Sequence, residues 1–206
     1  MHRRNFMQAL GIGGVLSLNF ASIALAADGA GDGNVAAILE NIDTRRSVRT
    51  YTDEPVTEEQ IEKMLRAAMA APNAANEQPW EFVVVTDKSI LGQMKSVNQY
   101  AAYAGHAPLA ILVCLNTTKD KTDGMSILDI GMASENLMLA AHALGLGSVF
   151  TGIYPLKDRM EKASQLFKLP PEISPIGLII IGHPKTTARK SAEARYNTAV
   201  IHKNTW

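Results

Sequence analysis

The sequence predicts an α+β fold in three layers, with helices on both sides of one sheet. Three observations predict it. Short runs of apolar and β-branched residues alternate along the chain with segments of helical periodicity. The strand-like runs Leu109–Leu115 and Ile176–Ile181 carry no polar side chain except a lone thiol, as expected of strands covered on both faces. The helix-like segment Met125–Leu144 is apolar almost all round, which demands burial on most sides.

The elements follow in chain order. Val35–Ile42 reads as a short helix. Thr57–Ala71 reads as a helix with Thr57 as its cap, Gln60 at capping-box spacing and Pro72 as its stop. Its residues Ile61, Met64, Leu65 and Ala68 share one face. Glu81–Thr86 is a Val-rich strand and Lys88–Val97 a helix. After the apolar strand at 109–115 comes the long apolar helix, closed by Gly145 and Gly147. In a chain of this size a partner subunit could supply part of that helix's burial. Ser148–Ile153 is a short strand, and Leu156–Phe167 a helix stopped before Pro170-Pro171. The strand at 176–181 ends at Gly182-His183-Pro184. The polar tail Ala188–Trp206 reads as an arm lying on something else. The sequence holds no repeat, and nothing in it marks a second domain.

The amino terminus reads separately. Arg3-Arg4 precedes an apolar stretch, Ala9–Ala26, that ends in Ala24-Leu25-Ala26, a small-residue cleavage pattern. We expect residues 1–26 to be a secretory signal peptide of twin-arginine type, cleaved after Ala26. Residues 27–34 are expected to be a flexible Gly/Asp tether and 35–206 the folded domain. Gly11-Ile12-Gly13-Gly14 lies inside the leader and is no nucleotide loop. The expected location is periplasmic, or cytoplasmic if the leader does not function. No stable membrane anchor is expected after processing.

Composition narrows the function. The chain has 20 basic and 20 acidic residues. The leader removes Arg3 and Arg4 and no acid, leaving 18 against 20. A near-neutral chain gives no electrostatic case for nucleic acid. The single cysteine, Cys114, sits in an apolar run and reads as a buried structural thiol. No spacing of His, Cys or carboxylates implies a metal.

Two blocks carry the chemistry. Arg45-Arg46-Ser47-Val48-Arg49 packs three guanidiniums and a hydroxyl into five residues, donors suited to gripping phosphate oxygens. Pro72-Asn73-Ala74-Ala75-Asn76-Glu77-Gln78-Pro79-Trp80 is a turn rich in side-chain amides, which can both donate and accept at the edge of a heterocycle. Phosphate at one end and a ring at the other point to a nucleotide-like cofactor.

Together these blocks resemble the start of the FMN-dependent nitroreductase family, and the resemblance extends over nearly all of 35–206. It implies the nitroreductase-like fold, an intertwined homodimer and an FMN site at the subunit interface. Arg45 and Ser47, with Arg46 beside them, match phosphate contacts. Arg49 matches the cation near flavin N1 and O2. Pro72, Asn73, Ala74, Asn76 and Gln78 match a loop that reaches FMN from the other subunit, Asn73 standing where the family often has Ser. Val149-Phe150-Thr151-Gly152 resembles the strand end along the flavin N5/O4 edge, and Asn98 and Gln99 are weaker contacts. Arg195 resembles a late basic residue that returns to the phosphate, with Arg189 and Lys190 as competitors.

The implied activity is that of a flavin oxidoreductase. A donor reduces the flavin and leaves, and a small acceptor such as a nitroaromatic or quinone then takes the electrons at the same site. No side-chain acid or base is nominated; His106, His142, His183 and His202 are weak candidates. The usual donor, NAD(P)H, is not expected in a periplasm, so the leader implies an unidentified donor there. The short segment Asn116–Met125 implies an open site. The other readings are a non-catalytic flavin-binding or electron-storage protein and a binder of some other phosphate compound.

Overall fold

The computed structural model describes residues 21–122, 124–186 and 195–206. Helix α1 spans Ala21–Thr44, α2 Glu58–Met69, α3 Lys88–Val97, α4 Ser126–Ala143 and α5 Lys157–Phe167. The strands are β1 (Trp80–Val85), β2 (Leu109–Asn116), β3 (Gly147–Gly152) and β4 (Ile173–Gly182). They form one antiparallel sheet in the order β1-β2-β4-β3.

The alternation of strand side chains builds the three layers. Leu109, Ile111, Val113 and Leu115 of β2 and Ile179 and Ile181 of β4 face one core, with Ile61, Met64 and Ala68 of α2 and Ile130 and Leu137 of α4. The intervening residues Ala110, Leu112, Cys114, Leu178 and Ile180 face the other, with Leu91 and Met94 of α3 and Ala163 of α5. This is the predicted architecture. The predicted capping box also forms: Gln60 N–H donates to Thr57 Oγ1 and Thr57 N–H to Gln60 Oε1.

Two expectations need correcting. Residues 28–34, expected to be a flexible tether, are helical, and the short helix expected at 35–42 is the continuation of α1. Each interior glycine costs about 1 kcal/mol relative to alanine, a local penalty that a helix already propagating from Ala-rich flanks absorbs. The chain divides between Leu39 and Glu40 into two compact units. The second correction is β4, which starts at Ile173 rather than Ile176. The β-bulge opposite Val113/Cys114 lets Ser174 and Pro175 join the ladder.

Residues 1–20 of the expected leader lie outside the described residues, as do Arg189 and Lys190. Among the described residues no helix is long and apolar enough to cross a membrane.

Candidate active site

The basic block leaves the end of α1 and docks on β3. Arg46 folds back over the helix end, its Nη1 donating to the carbonyls of Asp43 at 2.6 Å and Arg45 at 2.5 Å. A cation at this end satisfies orphan carbonyls and complements the helix dipole. Its Nη2 is buried with no hydrogen-bond partner among the described residues. Arg45 Nε donates to Glu135 Oε1 of α4 at 3.0 Å, and its terminal nitrogens make no hydrogen bond among the described residues. Ser47 then forms a parallel bridge with Ser148, and Val48 N–H donates to the Ser148 carbonyl at 2.9 Å. Val48 sits directly on Gly147: a Cβ there would lie 2.6 Å from the Val48 Cβ. Glycine is therefore required for this approach. With Val48 half-buried, its neighbours Ser47 and Arg49 are exposed.

Beside this block lies a cavity of about 260 Å³. Five of the residues expected from the sequence line it: Arg49, Asn98, Phe150, Thr151 and Gly152. Its remaining walls are Val149, Tyr100, Tyr103 and Arg159. The Gly152 carbonyl accepts from both Asn98 Nδ2 and Arg159 Nη1, each at 3.0 Å. Asn98 Oδ1 accepts from Tyr100 N–H at 3.0 Å, so this buried amide clips β3 to the 3₁₀ turn at Gln99–His106. Phe150 lies over Gly177, where any Cβ would meet its ring. Thr151 turns its hydroxyl to the Leu178 carbonyl at 3.2 Å, leaving its backbone at the cavity. Arg49 stands 5.9 Å from the centre of the Tyr103 ring and Arg159 5.8 Å from that of Tyr100. Among the described residues no carboxylate lines the cavity and neither guanidinium has an ion pair. The two guanidiniums give the described walls a positive charge, which suits electron-rich or anionic groups.

Tyr100, Tyr103 and Arg159 were not expected from the sequence. The tyrosines follow Asn98 at positions that become adjacent only because the chain turns as a 3₁₀ helix there. Arg159 lies in α5, which reads as an ordinary amphipathic helix. Only the hydrogen bond to Gly152 brings it to the site.

The amide-rich loop takes a different position. Ala74–Asn76 is a 3₁₀ turn, and Ala75, Asn76 and Gln78 have φ of 48°, 56° and 49°. Asn73 Oδ1 accepts from Gln78 N–H at 2.9 Å. Asp129, a buried carboxylate of α4, accepts the Ala74 N–H with both oxygens at 3.2 Å. Pro72, Asn73, Ala74, Asn76 and Gln78 do not line the cavity of their own chain. Arg195 is exposed, and no hydrogen bond or ion pair links it to Arg45–Arg49 among the described residues.

The other groups singled out from the sequence lie outside the cavity. Cys114 is fully buried, and burial pushes its thiol up to about 12, so it is an inert core group as expected. His142 Nε2 pairs with Thr44 Oγ1 at 2.9 Å, a satisfied histidine. His202 stacks on Trp206, and His183 lies 3.6 Å from Glu54. Among the described residues no group of His, Cys, Asp and Glu could hold a metal. Two larger hollows, of about 450 and 350 Å³, flank α5, but neither contains a guanidinium or any residue of the two sequence blocks.

Comparison with known proteins places this geometry. The chain is 45% identical over 155 residues to a protein of Methanothermobacter thermautotrophicus described as a "putative NADH dehydrogenase/NAD(P)H nitroreductase", covering 74% of this chain and 81% of that one. It is 28% identical over 187 residues to the NAD(P)H FMN reductase of Bacillus subtilis, covering 82% and 74%. Among solved structures, the FMN-dependent nitroreductase of Clostridium difficile superposes with a TM-score of 0.76 at 27% identity, covering 82% of this chain and 99% of the other. The model of the nitroreductase family matches residues 42–104 and 93–183, a span that contains the basic block, the amide-rich loop and every wall of the cavity, and the chain is a member of that family.

Proposed function

We propose that this chain is an FMN-dependent oxidoreductase. It passes electron pairs from NAD(P)H, or from another donor if the protein is exported, to a small acceptor such as a nitroaromatic or quinone. Donor and acceptor use one shared cavity in turn. The observation that carries this reading is the cavity itself: among the described residues it has two guanidiniums without an ion pair, a glycine-ended strand and no acid, beside the Arg45–Ser47 block.

The residues fit FMN. The terminal nitrogens of Arg45 are free to fork onto a phosphate while Nε stays on Glu135, and the buried Nη2 of Arg46 has a donor to spare. Ser47 adds a hydroxyl. Arg49 would hold positive charge at the pyrimidine edge, where reduced flavin is anionic. Gly152 admits close approach of a ring to the strand end, and Phe150 and Thr151 present backbone there. Bound FMN supplies reversible two-electron hydride chemistry, which no side chain of this protein offers. The protein's part is to bind, to orient and to set the charge around the ring.

We also propose a homodimer. The cavity is below the roughly 300–1,000 Å³ of small-molecule clefts, as a half-site would be. Leu128 and Met132 of α4 are exposed in the single chain, at 62% and 37%, and so are Val35, Ile38 and Leu39 of α1. Pro72–Gln78 of a second copy would complete the site, and Arg195 would reach the phosphate through the same association. Residues 1–26 are proposed as a twin-arginine leader for the periplasm; N-terminal sequencing of protein from fractionated cells tests this.

The test of function is the absorbance spectrum of purified protein, with the released chromophore identified. Yellow protein carrying about one FMN per chain is expected. Arg45→Ala should then weaken FMN binding by about 2 kcal/mol, roughly thirtyfold, as loss of a charge-assisted contact. Colourless protein that takes up no added FMN overturns the assignment.

A further inference from the structure

The cavity contains one more cation than a flavin ring needs. Flavin carries a phosphate, which the Arg45–Ser47 block suits, and one anionic locus on its reduced ring, which Arg49 suits. Arg159 remains. Its Nη1 is tied to the Gly152 carbonyl at 3.0 Å and its guanidinium stands over Tyr100 at 5.8 Å. These two contacts fix the plane of the group while leaving its other nitrogens without a hydrogen bond among the described residues. A guanidinium so held is preorganised for a planar anion, since it loses little freedom on binding. Tyr100 is 58% exposed, so flat apolar surface lies at the same opening.

We propose that Arg159, positioned by Gly152 and Tyr100, is the specificity residue of this enzyme and selects acceptors that are flat aromatics bearing a carboxylate or similar oxyanion. The inference rests on the proposed flavin site. It narrows the acceptor from any nitroaromatic or quinone to an anionic one. The carboxylate forks onto Arg159 and the ring lies against Tyr100, a pairing of charge and stacking that a neutral acceptor makes only in part.

The test uses 4-nitrobenzoate and 4-nitrobenzamide, which differ in one charge. Their binding to the oxidised holoprotein is measured by calorimetry, and their kcat/KM in turnover. The unaltered protein is expected to favour the benzoate at least tenfold in both, and the preference should shrink between 20 and 200 mM salt. Arg159→Gln should abolish the preference, and Arg159→Lys should restore part of it. The ratio of the two ligands is the readout, because general damage to the site would lower both together. Yellow protein with no preference, or a preference that survives Arg159→Gln, overturns this proposal alone. So does a defect confined to the NADH half-reaction, which would assign Arg159 to the donor's phosphates. Protein that binds no FMN overturns the functional reading and this acceptor assignment with it.

Discussion

The Ser47–Arg49 segment and the Asn73–Gln78 loop are both rich in polar donors, and the fold holds them in opposite ways. The first lies against β3 in extended backbone, tied by a main-chain hydrogen bond and seated on Gly147. Its order comes from the sheet. The second has three non-glycine residues at positive φ, and α4 holds it through the carboxylate of Asp129. Its order comes from side chains working against backbone preference, at of order 1–3 kcal/mol for each such residue. A segment that inherits the rigidity of a sheet suits an unchanging grip such as a phosphate clamp. A strained loop held by a few side-chain contacts, among them Asp129 and Glu77, can be displaced by a modest change, which suits a part proposed to meet a second subunit.

The largest expected break in this contrast is Asp129→Ala. It leaves the Ala74 N–H without its charged acceptor and should lower stability by about 1.5–3 kcal/mol in urea denaturation. Proteolytic cleavage should then appear within 73–78 but not within 47–49. Asp129→Asn, which keeps an acceptor, should recover most of the loss. Next is Gly147→Ala, expected to cost about 1–3 kcal/mol through overpacking. Adding Val48→Ala should not rescue it, because the Val48 Cβ itself is the atom 2.6 Å away. A rescue would mean that the segment is held by its side chain and not by the strand. Ala75→Gly should act the other way and raise stability by about 1 kcal/mol, read as a higher Tm, since φ of 48° is unstrained only for glycine. Glycine at Val48 should bring no such gain.

A test of a different kind lies in the core beneath Val48, which holds Cys114. Cys114 has its thiol raised from 9.0 to about 12 by burial. The unfolded chain therefore loses that proton first, and stability should fall as pH rises from about 9 toward 12. Cys114→Ala should flatten that slope, and a thiol reagent at pH 8 should label the unaltered protein only after denaturation.

Legibility in the sequence followed the range of the interaction. Thr57 with Gln60 fixed the start of α2, because a capping signal is local, and α3 has the limits expected of it, with Asp87 capping its first turn. The unbroken apolar runs of β2 and β4 announced a sheet covered on both faces. The basic block and the Phe150–Gly152 strand end were legible as chemistry, and the cavity brings Arg49 to that strand end. What the sequence did not reveal depends on contacts between distant residues. Arg159 reaches Gly152 through one hydrogen bond, and Tyr100 faces the site because Asn98 starts a 3₁₀ turn. The helicity of 28–34 is not legible in its three glycines and two aspartates, each a poor helix former, because it belongs to the cooperative helix around them.

The Gly152 carbonyl binds Asn98 and Arg159 at once, joining three stretches of chain at a single oxygen. That joint belongs to the main chain, so no side-chain replacement at position 152 removes it. Mutational drift can loosen it only from the other ends, at positions 98 and 159. An alanine scan would therefore report those two residues as separate hot spots, when they are the two ends of one fastening.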